Sequence, residues 1–224
     1  MRHLGVEQIL SVSAVGSMKE EIRPGHIVVP DQFIDRTKTR VSSFFGDGVV
    51  GHVGFADPIC LDLRAVLFGV AKDRCAEAGS QAHDGGTYIV IDGPQFSTRA
   101  ESRLYRSWGV DVIGMTNIPE AKLAREAEIC YATIALSTDY DCWHETEDDV
   151  SVNAVLEVVR NNVALARAIV RGTAERIPAV RSCPCTNAAT HAVMTDPSKI
   201  PAAARERLDL IVGKYMPALA KGAE

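Results

Sequence analysis

A chain of 224 residues with 46% hydrophobic side chains, 24% charged ones and few aromatics has the profile of one soluble globular domain, long enough to bury a real core. The net charge of −5 and the lack of any Lys/Arg-rich block exclude a nucleic-acid partner as the natural reading. No apolar run approaches the ~20 residues that cross a bilayer, and "MRHLGVEQILSVSAVGS" lacks the three-part plan of a signal peptide, so a cytoplasmic protein is expected.

In chain order, Val6 to Val15 is a β-type run that ends in Gly16-Ser17. Pro24-Gly25 marks a turn, and "HIVVP" is a short strand stopped by Pro30. Residues 42–60 are rich in Gly, Ser and Asp and read as a long loop carrying His52. Leu61 to Ala78 has apolar residues at helical spacing and stops at Gly79. Thr87 to Ile91 is a strand. Thr98-Arg99-Ala100-Glu101 has the form of a capping box, which predicts a helix to Trp108 with Gly109 as its stop. "VDVIGM" is another strand, and Asn117-Ile118-Pro119-Glu120 opens a helix to about Glu128, with Asn117 as its cap. "ICYATIAL" is the most apolar strand. Val150 to Arg171 is a long amphipathic helix, and Pro201 to Leu219 is one more.

Strands alternating with helices imply an α/β domain with a mostly parallel, twisted central sheet, undivided over 1–224. Ligands in such sheets bind beyond the carboxyl ends of the strands. Three of those ends carry unusual polar residues: "SVSAVGS", "GMTN" and "STDYD". Alone, Asp139-x-Asp141 reads as a solvated loop. If the strand continues to Asp141, however, both carboxylates share a face. A carboxylic acid in a partly apolar site beside a second acid has its proton affinity raised and can donate a hydrogen bond near neutrality. Such a pair suits a 6-aminopurine, which offers an acceptor at N7 and a donor at N6.

The six cysteines do not show the paired spacing of a zinc site, and no metal ligand set is assigned. Several read as buried free thiols. The Cys183-Pro184-Cys185 gap is awkward for a disulfide and possible for a soft metal or redox chemistry, but two loop thiols are the simpler reading.

"EEIRPGHIVVPDQFIDRT", the run from "GPQFSTRAES" through "STDYDCW", and "DDVSVNAVLEVV" together resemble the purine nucleoside phosphorylase family, in its S-methyl-5'-thioadenosine phosphorylase branch. The resemblance extends to about Arg171. It implies phosphorolysis by a glycosyltransferase of purine salvage: phosphate attacks the anomeric carbon, the purine leaves, and a sugar 1-phosphate forms. No metal or organic cofactor is implied, since phosphate is a co-substrate. Placed on the family motifs, Asp139 is the leaving-group acid at N7 and Asp141 accepts from the 6-amino group. Met115 lies under the ribose, Phe96 packs against the base, and Ser97 stands at the mouth of the base pocket. Ser13 and Thr116 contact phosphate, and Val152 faces the 5' substituent. His52 matches a position that reaches a neighbouring subunit's site, so the resemblance also implies a homo-oligomer, a trimer or a dimer of trimers.

The resemblance also implies a Gly-rich phosphate loop and an Arg-His clamp ahead of "ILSVSAVGS", where this sequence has only a few residues. The expectation is therefore a sheet without its first strands and weak phosphate binding, from an N-terminally truncated product rather than a shortened paralogue. Three other readings compete. One is a phosphorylase preferring inosine or methylthioinosine. Another is a metal-dependent hydrolase on Asp139, Asp141 and His144. The third is a non-catalytic nucleoside-binding subunit.

Overall fold

The computed structural model describes residues 1–144 and 152–216, with the side chains of 152–161 outside the description. Seven strands are β1 (Gln8–Ser17), β2 (Ile27–Val29), β3 (Gln32–Asp35), β4 (Ala82–Asp84), β5 (Thr87–Val90), β6 (Val112–Gly114) and β7 (Cys130–Asp139). Five helices are α1 (Leu61–Glu77), α2 (Arg99–Ser107), α3 (Glu120–Glu126), α4 (Val152–Arg176) and α5 (Ala202–Val212). The strands form one sheet in the order β3-β5-β6-β1-β7-β2-β4.

The pairing is mixed. β1/β7, β2/β4, β3/β5 and β5/β6 run parallel, while β1/β6 and β2/β7 run antiparallel. The expected α/β class holds. The antiparallel β6 is the feature that periodicity does not reveal, because a three-residue strand carries no directional signal. β3 and β4 went unread for the same reason: they are short, half-buried edge strands.

β7 is the spine of the core. It is buried at nine consecutive positions, Cys130 to Thr138, as befits a central strand covered on both faces. α1 buries Leu63, Leu67, Val70, Ala71 and Cys75, one stripe at helical spacing. α4 packs on it closely: a Cβ on Gly172 would stand 3.0 Å from Val70 Cγ1, so glycine at 172 sets the approach of the two helices.

Two buried glutamates near the end of α3 fix the irregular segments. Glu126 accepts from Ser43 Oγ at 2.7 Å and from the Phe44 N–H at 2.6 Å, holding the long loop before α1. Glu128 accepts from Tyr215 at 2.6 Å and pairs with Lys214 at 2.5 Å, holding the end of the described chain. A carboxylate this deep needs such partners.

Two sequence expectations are revised. Asn117 does not cap α3: the residue before the helix is Pro119, which makes no side-chain capping bond. Asn117 sits at φ 72° and its Oδ1 accepts from Tyr131 at 2.7 Å instead. Strand β7 stops at Asp139, and Asp141 lies in a 3₁₀ turn at φ 53°. Cys183 and Cys185 are loop thiols as expected, in the segment after α4, and both are buried. The capping box of α2 is present as expected, with Thr98 accepting from the Glu101 N–H and Glu101 from the Thr98 N–H.

Candidate active site

β6, β1 and β7 lie side by side at the middle of the sheet, and their polar termini open into one cavity of about 290 Å³. Seven of the residues singled out in the sequence line it: Ser13, Phe96, Ser97, Met115, Thr116, Asp139 and Asp141. His52 does not. It is exposed on the long loop, where its N–H donates to the Ala192 carbonyl. The side chain of Val152, at the start of α4, lies outside the described residues.

The antiparallel run of β6 gives the cavity its length. Gly16 pairs with Ile113, so the chain beyond β6 travels back along β1 and brings Thr116 to Ser13. Thr116 Oγ1 donates to Ser13 Oγ at 2.7 Å, and Tyr88 OH lies 2.9 Å from Ser13 Oγ. Tyr88 and Ser13 are buried and Thr116 is open to the cavity. Tyr88 reaches this trio only because residue 114 is glycine; a Cβ there would overlap the phenol oxygen. Burial raises the proton affinity of Tyr88, so it stays a neutral donor.

The acids are built from a bulge. The β1/β7 ladder slips after Val15, so that Gly16 faces Asp139. Residue 16 must be small: a Cβ would stand 3.0 Å from Asp139 Oδ1 and 3.2 Å from Asp141 Cβ. Asp139 Oδ1 accepts from the Asp141 N–H at 2.8 Å and Oδ2 from Thr138 Oγ1 at 2.7 Å. Asp141 Oδ2 accepts from Ser102 Oγ of α2 at 2.5 Å. The two carboxyls thus share the cavity through a turn rather than through the pleat.

Burial pushes both proton affinities above the ordinary aspartate value. Hydrogen bonds oppose the rise at each, and at Asp141 the charge of Asp139 adds to it. The hydrolase constellation does not assemble: His144 stacks on Tyr140 with ring centres 4.5 Å apart, and its Nε2 is 3.4 Å from Glu20.

Met115 packs against Gly93, where any side chain would overlap its sulfur. Ser97 Oγ is buried in the cavity wall without a hydrogen-bond partner. Phe96 is 59% exposed, a ring held open beside the acids. Sequence reasoning missed Tyr88, Ser102 and Thr138. Tyr88 sits in an apolar strand and Ser102 on a helix face, with nothing local to mark either, while Thr138 lies in "STDYD" but is overshadowed by the two acids.

The sequence pattern of the Phosphorylase superfamily matches residues 1–175. The chain belongs to that family. Among relatives of the family, the S-methyl-5'-thioadenosine phosphorylase of Geobacter sulfurreducens is 63% identical over 217 residues, covering 96% of this chain and 74% of the relative. The enzyme of the same name from Koribacter versatilis is 55% identical, covering 96% of this chain and 72% of its own. A solved methylthioadenosine phosphorylase from an antarctic soil metagenomic library superposes with a TM-score of 0.87 at 45% identity, over 94% of this chain and 73% of that one. The methylthioadenosine phosphorylase of Schistosoma mansoni in complex with adenine gives a TM-score of 0.75 at 32% identity, over 95% and 74%. Among the described residues, no helix is long and apolar enough to cross a membrane.

Proposed function

We propose that this chain catalyses phosphorolysis of S-methyl-5'-thioadenosine, giving adenine and 5-methylthioribose 1-phosphate. One observation carries the reading: two carboxyls of raised proton affinity share a cavity with a thioether and two hydrogen-bonded hydroxyls, Ser13 and Thr116, backed by the buried Tyr88. Phosphate oxygen forms a bond to the anomeric carbon as the bond from that carbon to N9 of the purine breaks. The electron pair goes to the purine, and protonated Asp139 donates to N7 as that charge develops. Asp141 accepts from the 6-amino group. Ser13 and Thr116 turn their hydroxyls to phosphate, with Tyr88 behind them. Met115 lies under the ribose, where a polarizable sulfur suits a developing cation. Phe96 covers the base, and Ser97 supplies its unpaired hydroxyl at the pocket mouth.

The finer features of the reading go with it. The reaction takes no metal or organic cofactor. Val152 faces the 5'-methylthio group. The enzyme works in the cytoplasm as a homo-oligomer built on trimers, with His52 reaching a neighbouring site, and it has no nucleic-acid or membrane partner.

The test is a phosphorolysis assay with methylthioadenosine, adenosine and inosine, each with and without phosphate. Phosphate-dependent adenine release, fastest from methylthioadenosine, is expected. Purine binding with no phosphate-dependent product would overturn catalysis, and preference for inosine would overturn the assignment of Asp141. Within the same reading, Tyr88→Phe removes one hydroxyl of the trio. It should raise KM for phosphate about 2–10-fold, the cost of one lost hydrogen bond, and leave KM for the nucleoside unchanged.

A further inference from the structure

Four of the six cysteines meet away from the active-site cavity. The Sγ atoms of Cys60, Cys130, Cys183 and Cys185 all lie within 4.8 Å of one another, and all four residues are buried. They come from three distant parts of the chain: the residue before α1, the first residue of β7, and the segment after α4. A zinc ion with Zn–S bonds of about 2.3 Å at the centre of a tetrahedron needs sulfurs about 3.8 Å apart. The sulfurs stand close to that spacing, Cys130 and Cys183 being 3.3 Å apart.

Backbone turns and one cation frame the cluster. Cys60 is the N-cap of α1, so its sulfur sits at the start of that helix. Cys183 caps the 3₁₀ turn opened by Pro184, and this turn brings Cys183 and Cys185 to one centre in spite of their one-residue gap. Arg181 Nη1 donates toward Cys130 Sγ at 3.8 Å, placing a cation beside a set whose complex with Zn²⁺ would carry two negative charges. Cavities of about 330 and 310 Å³, lined in part by Cys60 and Cys183, flank the cluster and give an ion a way in.

We propose that Cys60, Cys130, Cys183 and Cys185 form a closed structural zinc site that fastens the segment after α4 to β7 and α1. Four thiolate ligands complete the coordination and leave no position for water or substrate, so the metal takes no part in phosphorolysis. Each thiol that binds gives up its proton to solvent, up to four per ion. The paired spacing sought in the sequence is absent because only two ligands are neighbours in the chain.

The full chain, purified under reducing conditions without added chelator, should contain about one zinc per chain by plasma mass spectrometry. Zinc should be released when a mercurial titrates the thiols. The Cys183→Ser/Cys185→Ser double variant should hold at least about tenfold less zinc, whereas Cys75→Ser, which alters a buried thiol outside the cluster, should keep it. Because the double variant can fail to fold, wild type is also stripped and reloaded with Co²⁺. Thiolate-to-cobalt charge transfer and tetrahedral d–d bands at one ion per chain are expected. Wild type that carries no zinc and gives no such bands would overturn the proposal. So would an intact mass showing two disulfides among these four cysteines in freshly isolated protein.

Discussion

Asp139→Asn should lower kcat for methylthioadenosine phosphorolysis by about 10²–10⁴-fold, the usual worth of a general acid, and should at the same time make the protein more stable above neutral pH. The two effects have one cause. Burial raises the Asp139 proton affinity above its ordinary value, so the folded state binds this proton more tightly than the unfolded chain does. The resulting stability is fully present below the unfolded pKa and is lost as pH rises through the folded one. Asparagine carries no such charge, keeps an acceptor for the Asp141 N–H, and escapes that loss. Melting temperatures of wild type and variant should therefore converge near pH 4 and separate in favour of the variant as pH rises. Wild-type kcat should fall over the same window, as the acid loses its proton. An Asp139→Asn enzyme with near-normal kcat, or one less stable at pH 8 than wild type, would remove Asp139 from the acid role.

Asp141→Asn should instead exchange one purine for another. In the proposed reaction the carboxyl held by Ser102 accepts from a 6-amino group; an amide in its place can donate to a 6-oxo group. The ratio of kcat/KM for methylthioadenosine over methylthioinosine should fall by roughly 10–100-fold, the range expected when a buried donor is left unpaired. Loss of both activities in equal proportion would mean that Asp141 only supports Asp139. Ser102→Ala separates the two cases further. It frees Asp141 from its positioning bond and should blunt the discrimination while leaving the leaving-group chemistry in place.

Much of this site is legible in the sequence because its residues stand at the ends of recognisable strands. "SVSAVGS", "GMTN" and "STDYD" each mark an apolar run that turns polar, and those runs prove to be neighbours in the sheet. What the sequence does not carry is direction and register. Nothing in "VDVIG" says that β6 runs against β1, yet that reversal is what lays Thr116 against Ser13. Nothing in "STDYD" shows the slip after Val15 that lets Asp139 face Gly16. Asn117 misled for a related reason: its short amide suits a helix cap, but the phenol of Tyr131 competes for the same oxygen and wins. The cysteine cluster was hidden because a ligand set spread over three segments leaves no local pattern, whereas a capping box, wholly local, is read correctly.

The ten residues of β7 begin at Cys130 and end at Asp139. At about 3.3 Å per residue its two ends lie roughly 30 Å apart. A strand alternates its faces with every residue, so a displacement by one position would turn Asp139 out of the cavity without unfolding anything. Whatever anchors Cys130 therefore acts as the index mark of a ruler, because the register held at the start of β7 is the register at which Asp139 enters the cavity at its far end.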